Sequence, residues 1–305
     1  GRRSKREARQ DKLLYVSIES GHDNNVATYP DDFTIFPGLA PVTTLDSFFY
    51  GARLGGSRNF ALGRGQQLGI SGQLYTRNHT LVTAGQEDAE PFDQDFGLLR
   101  FRWMKDIDGR QEVEAGLESS QFRLDGEKYY NLLGLYGIWR LRSSDRLTYD
   151  VDLRVRDIAF ETEVNDYTYY SLKPGVQYQF SPRWQLDVNL ATELEQANED
   201  RLGGDARILG LHVKSRYALN SRNILEARAG YDYAQYQDEF PVGAAFNPEP
   251  EDRDDNRFDV TLGWDWFANE DWRTRLEARY RKQDSSLDLY TYERTLGKLS
   301  VTRFF

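Results

Sequence analysis

Residues 296–305 read LGKLSVTRFF, and their reading decides the fold. In an extended strand successive side chains point to opposite faces, so Leu299, Val301 and Phe305 share one face while Lys298, Ser300 and Thr302 share the other. The sequence then stops on an aromatic residue. A strand of this kind has two homes. Its apolar face can pack on the second sheet of a sandwich, or it can meet lipid while the polar face lines the inside of a closed barrel.

Composition favours the second home. The 305 residues include no Cys, 1 Met, 19 Tyr, 17 Phe and 6 Trp and carry a net charge of -10, and the mean hydropathy is -0.72. The average residue is therefore polar although aromatics are plentiful. The longest apolar run, residues 132–139, is far short of the roughly 20 residues that a membrane-spanning helix needs, so that class is excluded. A transmembrane barrel escapes hydropathy scales because every second residue faces a polar interior. The lack of Cys removes disulfide frameworks and Cys-ligated metals and suits passage through an oxidising periplasm.

From Leu13 onward the chain reads as about fourteen strands of about ten residues, each alternating with period two. In residues 147–156, Leu147, Tyr149, Val151, Leu153 and Val155 oppose Thr148, Asp150, Asp152, Arg154 and Arg156. Residues 225–233, 258–266 and 272–281 repeat the pattern. Connections alternate in length. The short ones carry turn formers at Gly63, Asp106, Arg142, Ser181, Asn220 and Asn269. The longer ones fall at residues 23–46, 77–95, 120–129, 196–205 and 237–256. Trp103, Trp139, Trp184, Trp266 and Trp272 lie close to the short turns, as an interfacial aromatic girdle would. A soluble sandwich has no reason to sort loop length to one end. The expected fold is an all-β, antiparallel up-and-down transmembrane barrel over residues 13–305, with short periplasmic turns and long extracellular loops.

The closing strand resembles that of bacterial outer-membrane β-barrels. That resemblance implies that Phe305 belongs to the signal read by the barrel assembly machinery, and that outer-membrane lipid and lipopolysaccharide surround the protein. Arg303 departs from the pattern, which usually has an apolar or aromatic residue there. The segment GHDNNV, residues 21–26, resembles the signature opening the barrel domain of proteins in which tetratricopeptide-type repeats precede the barrel, such as surface lipoprotein assembly modifiers. It implies secretion or surface display of a protein or polysaccharide, with an upstream helical-repeat domain or periplasmic partner receiving cargo. Gly21, Asp23 and Asn25 carry over as strand-end residues, while His22 replaces the more usual aromatic. Residues 1–12, GRRSKREARQDK, read as a charged periplasmic linker or the end of a preceding domain. Nucleic-acid binding is not expected of so acidic a chain.

If apolar faces meet lipid, the opposite faces line the lumen. Its expected charges are Arg100, Arg102, Glu112, Glu114, Arg140, Asp150, Asp152, Arg154, Arg156, Arg228, Asp232, Asp259, Arg275 and Arg279. Pairs are expected between neighbouring strands: Arg100 and Arg102 with Glu112 and Glu114, Arg140 and Arg142 with Asp150 and Asp152, and Asp265 with Arg273 or Arg275. Such pairs brace the wall or set the field of a pore. Interleaved signs largely cancel, so weak ion selectivity is expected, with a cation preference from acidic outer loops such as residues 249–256. That acidic loop is a candidate to hold a divalent cation or to bridge to lipopolysaccharide through one, but it lacks calcium-loop spacing, so solvation is its expected role. His22, His79 and His212 are the only histidines, and no nucleophile, phosphate-loop, metal or dinucleotide motif accompanies them. No enzyme activity and no cofactor are expected. Two functions remain: a secretion or translocation barrel, and a passive diffusion porin for small hydrophilic solutes.

Overall fold

In a computed structural model, which describes residues 12–26, 44–81, 92–198, 201, 203–240 and 252–305, fourteen antiparallel strands close into a barrel. They are β1 (Lys12–Asp23), β2 (Ser47–Gly63), β3 (Gln66–Leu81), β4 (Gln94–Asp106), β5 (Gln111–Leu124), β6 (Glu127–Arg142) and β7 (Leu147–Phe160), followed by β8 (Tyr167–Ser181), β9 (Trp184–Ala197), β10 (Ala206–Ala218), β11 (Asn223–Tyr236), β12 (Asp254–Phe267), β13 (Trp272–Ser285) and β14 (Tyr292–Phe304). Each strand pairs with its sequence neighbours, and β14 returns to β1. The closing register runs from Tyr15 opposite Phe304 to Asp23 opposite Leu296.

The strands are longer than the sequence pattern suggested, from 12 residues in β1 to 17 in β2. Their polar ends run on past the apolar band, because antiparallel pairing satisfies the backbone in water as well as in lipid. All six short turns form where expected. Several are fixed locally by a side chain that accepts backbone N–H groups. Asp108 takes those of Arg110 and Gln111 at 2.9 and 2.7 Å, and Asn269 those of Asp271 and Trp272 at 2.8 and 3.1 Å.

At the other end one expectation fails. Residues 120–129 are not a long loop, because β5 and β6 meet in a turn centred on Asp125 and Gly126, with φ of 53° and 74°. Two positive φ values match the right-handed twist of a tight hairpin. Phe122 then stacks on Tyr130 with ring centroids 5.5 Å apart. The acidic stretch is also partly strand. Asp254 and Asp255 open β12, and Asp255 is buried against Arg253 at 2.6 Å.

The distribution of polarity is the inverse of a soluble core. Leu135 is 63% exposed on the outer face while Glu118 is 1% exposed on the inner one. Ile18, Leu74, Leu153, Leu190, Leu209, Leu262 and Leu299 extend the outward apolar band. No second sheet or helix layer covers that band among the described residues. Water would oppose so large an apolar surface, and lipid removes the penalty. A closed barrel with an apolar exterior is built to stand in a membrane. Near the short turns, Trp103, Trp139 and Trp184 donate their indole N–H groups to Gln66, Gln111 and Ser215 at 3.2, 3.4 and 3.0 Å. Each ring thus keeps a polar contact while its body stays on the apolar face.

Candidate functional site: the charged inner wall

Period-two alternation sends one set of residues on every strand inward, and the strand registers decide which of them meet. Arg100 lies opposite Glu118 and Arg102 opposite Gly116, while Glu114 faces Met104 and Glu112 faces Asp106. The expected pairing of Arg100 and Arg102 with Glu112 and Glu114 is therefore corrected. Arg100 donates to Glu118 at 2.9 Å, and Arg102 donates to Asn59 at 3.0 Å. Glu112 accepts a short hydrogen bond from Arg140, and Glu114 accepts from Tyr136 at 3.1 Å. Arg140 does face Asp150 in the register, but Arg142 faces Thr148. Arg140 takes its ion pairs from β5, and Asp152 pairs with Arg154 along its own strand at 2.6 Å. Asp265 pairs with Arg275 at 2.9 Å and more loosely with Arg273 at 3.8 Å.

A second rule of pairing was invisible in the one-dimensional pattern. Several side chains stride over an inward glycine on the next strand to reach the strand beyond. Arg156 of β7 passes Gly134 of β6 and donates to Glu118 of β5 at 2.6 Å. Arg275 of β13 passes Gly263 of β12 and donates to Glu226 of β11 at 2.9 Å. Arg102 of β4 passes Gly69 to Asn59 of β2. Glu19 of β1 passes Gly51 to accept from Tyr75 and Arg77 of β3 at 2.6 and 2.8 Å. The glycines provide the space. A Cβ on Gly134 would lie 2.8 Å from Arg156 Cγ, and one on Gly263 would lie 2.5 Å from Arg275 Nη2.

Glu118, Glu226 and Glu19 are thus wall carboxylates that the sequence reading passed over. Glu118 had a signal, since it continues the inward parity of Glu112 and Glu114. Around it gather Arg100, Arg156 and, at 3.9 Å, Arg154. Around Glu226 gather Arg228 at 2.7 Å, Arg275 at 2.9 Å and Lys214 at 3.5 Å. Asp232 holds His212 and Arg257, each at 2.8 Å. Asp259 holds Arg279 at 2.5 Å and Arg281 at 2.9 Å.

Gly21, Asp23 and Asn25 sit where β1 meets β14 and β2. Asp23 is fully buried and accepts from Arg294 through both carboxylate oxygens at 3.0 Å. It also takes the N–H of Asn25 at 3.2 Å, while the Asn25 amide donates to the Glu293 carbonyl at 2.9 Å. A Cβ on Gly21 would overlap the Gly297 carbonyl and the Phe49 ring. Phe305 is tied in by its N–H to the Leu14 carbonyl at 2.9 Å. Arg303 lies over the Phe305 and Trp272 rings, at 4.7 and 5.5 Å, so its charge is accommodated by aromatic faces. His22 points outward against Phe48, away from the inward Asp23. His79 meets Ser47 at 2.7 Å, but both are buried, which leaves that pair no access to a substrate. No cluster of three or more His, Cys, Asp or Glu able to hold a metal occurs among the described residues. Glu249 and Glu251 lie outside those residues.

One family model, described as putative MetA-pathway of phenol degradation, matches residues 147–211, well under half of the chain. No curated protein matches. Among solved structures, the chain is similar to an anion-selective porin from Comamonas acidovorans, with TM-score 0.54, 11% identity and coverage of 96% of this chain and 98% of the other. It is also similar to a loop L8 deletion mutant of OmpT, an outer membrane protein of Vibrio cholerae, with TM-score 0.52, 13% identity and coverage of 97% and 100%. At such identities the likeness is one of architecture, and the architecture is that of the bacterial outer-membrane β-barrel.

Proposed function

We propose that the protein is a passive channel for small hydrophilic solutes across the outer membrane. The carrying observation is a cavity of about 410 Å³ on the inner wall of β8 to β13, lined by charged groups that include Lys173, Glu193, His212, Arg228 and Asp259. Because these charges are compensated within the wall, the wall needs neither a plug nor a cofactor to be stable, and it offers hydrated polar contacts to a passing solute. Liposomes carrying the folded barrel should swell in small sugars, and planar bilayers should show stepwise conductance. Folded protein that gives neither signal would overturn the reading.

The second reading is a translocation barrel acting with a periplasmic or upstream helical-repeat partner, and residues 21–26 are what favours it. The contacts of Gly21, Asp23 and Asn25 are spent on closing the barrel, which leaves the channel reading stronger. A conductance that appears only when a periplasmic partner is added would reverse that order. Lipopolysaccharide at the outer rim and recognition of Phe305 by the assembly machinery belong to the proposal under either reading.

A further inference from the structure

Signs alternate along the inner wall, but depths do not. At three pairs on β11 to β13 a cationic head stands over a carboxylate that lies against the barrel. The Arg228 side chain is 53% exposed above Glu226 at 8%, Arg257 is 40% exposed above Asp232 at 12%, and Arg279 is 41% exposed above Asp259 at 21%. Arginine and lysine are long enough to pair with an acid through one part of the head and leave the rest in water. A solute moving along this wall therefore meets ammonium and guanidinium groups first.

One rung of the barrel concentrates them. Lys214 lies opposite Arg228, Arg228 opposite Thr261 and Thr261 opposite Arg279. Like charges placed directly across a strand pair are unfavourable; Asp187 faces Lys214 at one end of the rung, and the compensating Glu226 and Asp259 sit on the adjoining rungs. All three cations line the same 410 Å³ cavity together with Lys173, Arg257 and Arg281, and these six cations outnumber its four acids, Glu193, Asp232, Asp259 and Glu277. We infer that the rung of Lys214, Arg228 and Arg279 is an anion-recognition point, and that the channel passes small oxyanions of the carboxylate or phosphate class in preference to cations. The inference rests on the channel reading above. It departs from the cation preference expected from the acidic outer loops, because the field at the wall is set by the nearest heads and distant loop charges are screened within a Debye length of about 8 Å.

The test is the reversal potential of the whole chain in a planar bilayer under a potassium chloride gradient, followed by titration with citrate and with inorganic tripolyphosphate. Wild type should favour chloride severalfold, and both probes should block the current. The triple variant Lys214→Gln, Arg228→Gln, Arg279→Gln should lose the chloride preference and raise the half-blocking concentrations by about tenfold or more, since each lost contact is a charge-assisted one. Block by only one probe assigns the carboxylate or the phosphate source. Arg110→Gln with Arg222→Gln, exposed in the short turns, should change little. A cation-preferring wild type, or a triple variant equal to wild type, overturns the inference while leaving the channel intact. Absence of any current overturns the channel reading instead. Calorimetric binding of tripolyphosphate to the detergent-folded protein then decides the rung: binding lost in the triple variant supports it, and no binding overturns it. Folding of each variant is read from the heat-dependent shift on a gel. If the triple variant does not fold, Arg228→Gln alone should move selectivity in the same direction, and no movement overturns the inference.

Discussion

The seam where β14 meets β1, β2 and β3 and the wall from β10 to β13 use the same residue types for opposite ends. At the seam Asp23 is sealed from water under Arg294, Arg77 lies 4.0 Å over the Phe49 ring, and Glu19 is shared by Tyr75 and Arg77. On the wall Glu226 and Asp259 are 8% and 21% exposed, yet Arg228 and Arg279 above them are 53% and 41% exposed. The difference teaches that an arginine's use is set by what covers its far side. Where a ring or a backbone closes over it, it is a fastener, and where the lumen lies beyond, it is a free donor.

That contrast breaks most visibly if its acids are removed. Asp23→Ala removes a fully buried carboxylate, leaves the part-buried Arg294 opposite Arg281 without its acid, and should destabilise by about 3 to 5 kcal/mol. Asp259→Ala leaves Arg279 and Arg281 in contact with water and should cost no more than about 1 kcal/mol. Urea unfolding of the detergent-solubilised barrel checks the pair, and equal losses would erase the distinction. Both regions are assigned to the inner face, and the outer face supplies the control for that assignment. Val151→Arg should cost about 2 to 4 kcal/mol and impair assembly, because Val151 belongs to the lipid-facing band. Asp152→Asn should be tolerated, and similar gel shifts for the two variants would mean that the faces are reversed. Gly21→Ala sharpens the seam itself: overlap with the Gly297 carbonyl and Phe49 should cost about 1 to 3 kcal/mol. At Gly297 an added Cβ meets nothing within 4 Å, so Gly297→Ala should unfold like wild type. The smallest effect lies outside both regions, in the β4–β5 turn. Backbone N–H bonds from Arg110 and Gln111 hold the Asp108 carboxyl below its ordinary pKa. A lowered folded-state pKa contributes stability above the unfolded value and loses it as pH falls through the folded value. Asp108→Ala should therefore slightly flatten the acid limb of the unfolding profile, and a larger change there than at the seam would upset the ranking.

Much of the fold was legible because its causes are local. Six turns carry their own acceptors and glycines, and the two faces of each strand follow from a period that needs no tertiary information. The β5–β6 hairpin was misread because Ser119, Ser120, Gln121, Glu127 and Lys128 look like loop residues, although the Asp125–Gly126 pair between them is a strong hairpin signal. The inner wall was only half legible. Which residues point inward follows from parity, so Arg100 and Asp259 could be placed. Their partners depend on register and on whether the intervening residue is glycine, which no single strand reveals. Depth was out of reach altogether, since it depends on what stands across the lumen.

The strides over glycine also bear on the register of such a sheet. A strand that enters one residue out of step turns its leucines inward and is rejected by polarity alone. A slip of two residues, about 6.8 Å, keeps every face correct and passes that inspection. It would nevertheless carry Arg275 away from Glu226 and Arg156 away from Glu118, each two strands back. These long ties therefore separate the native register in energy from a slip of two residues, a distinction that hydrophobicity alone does not make.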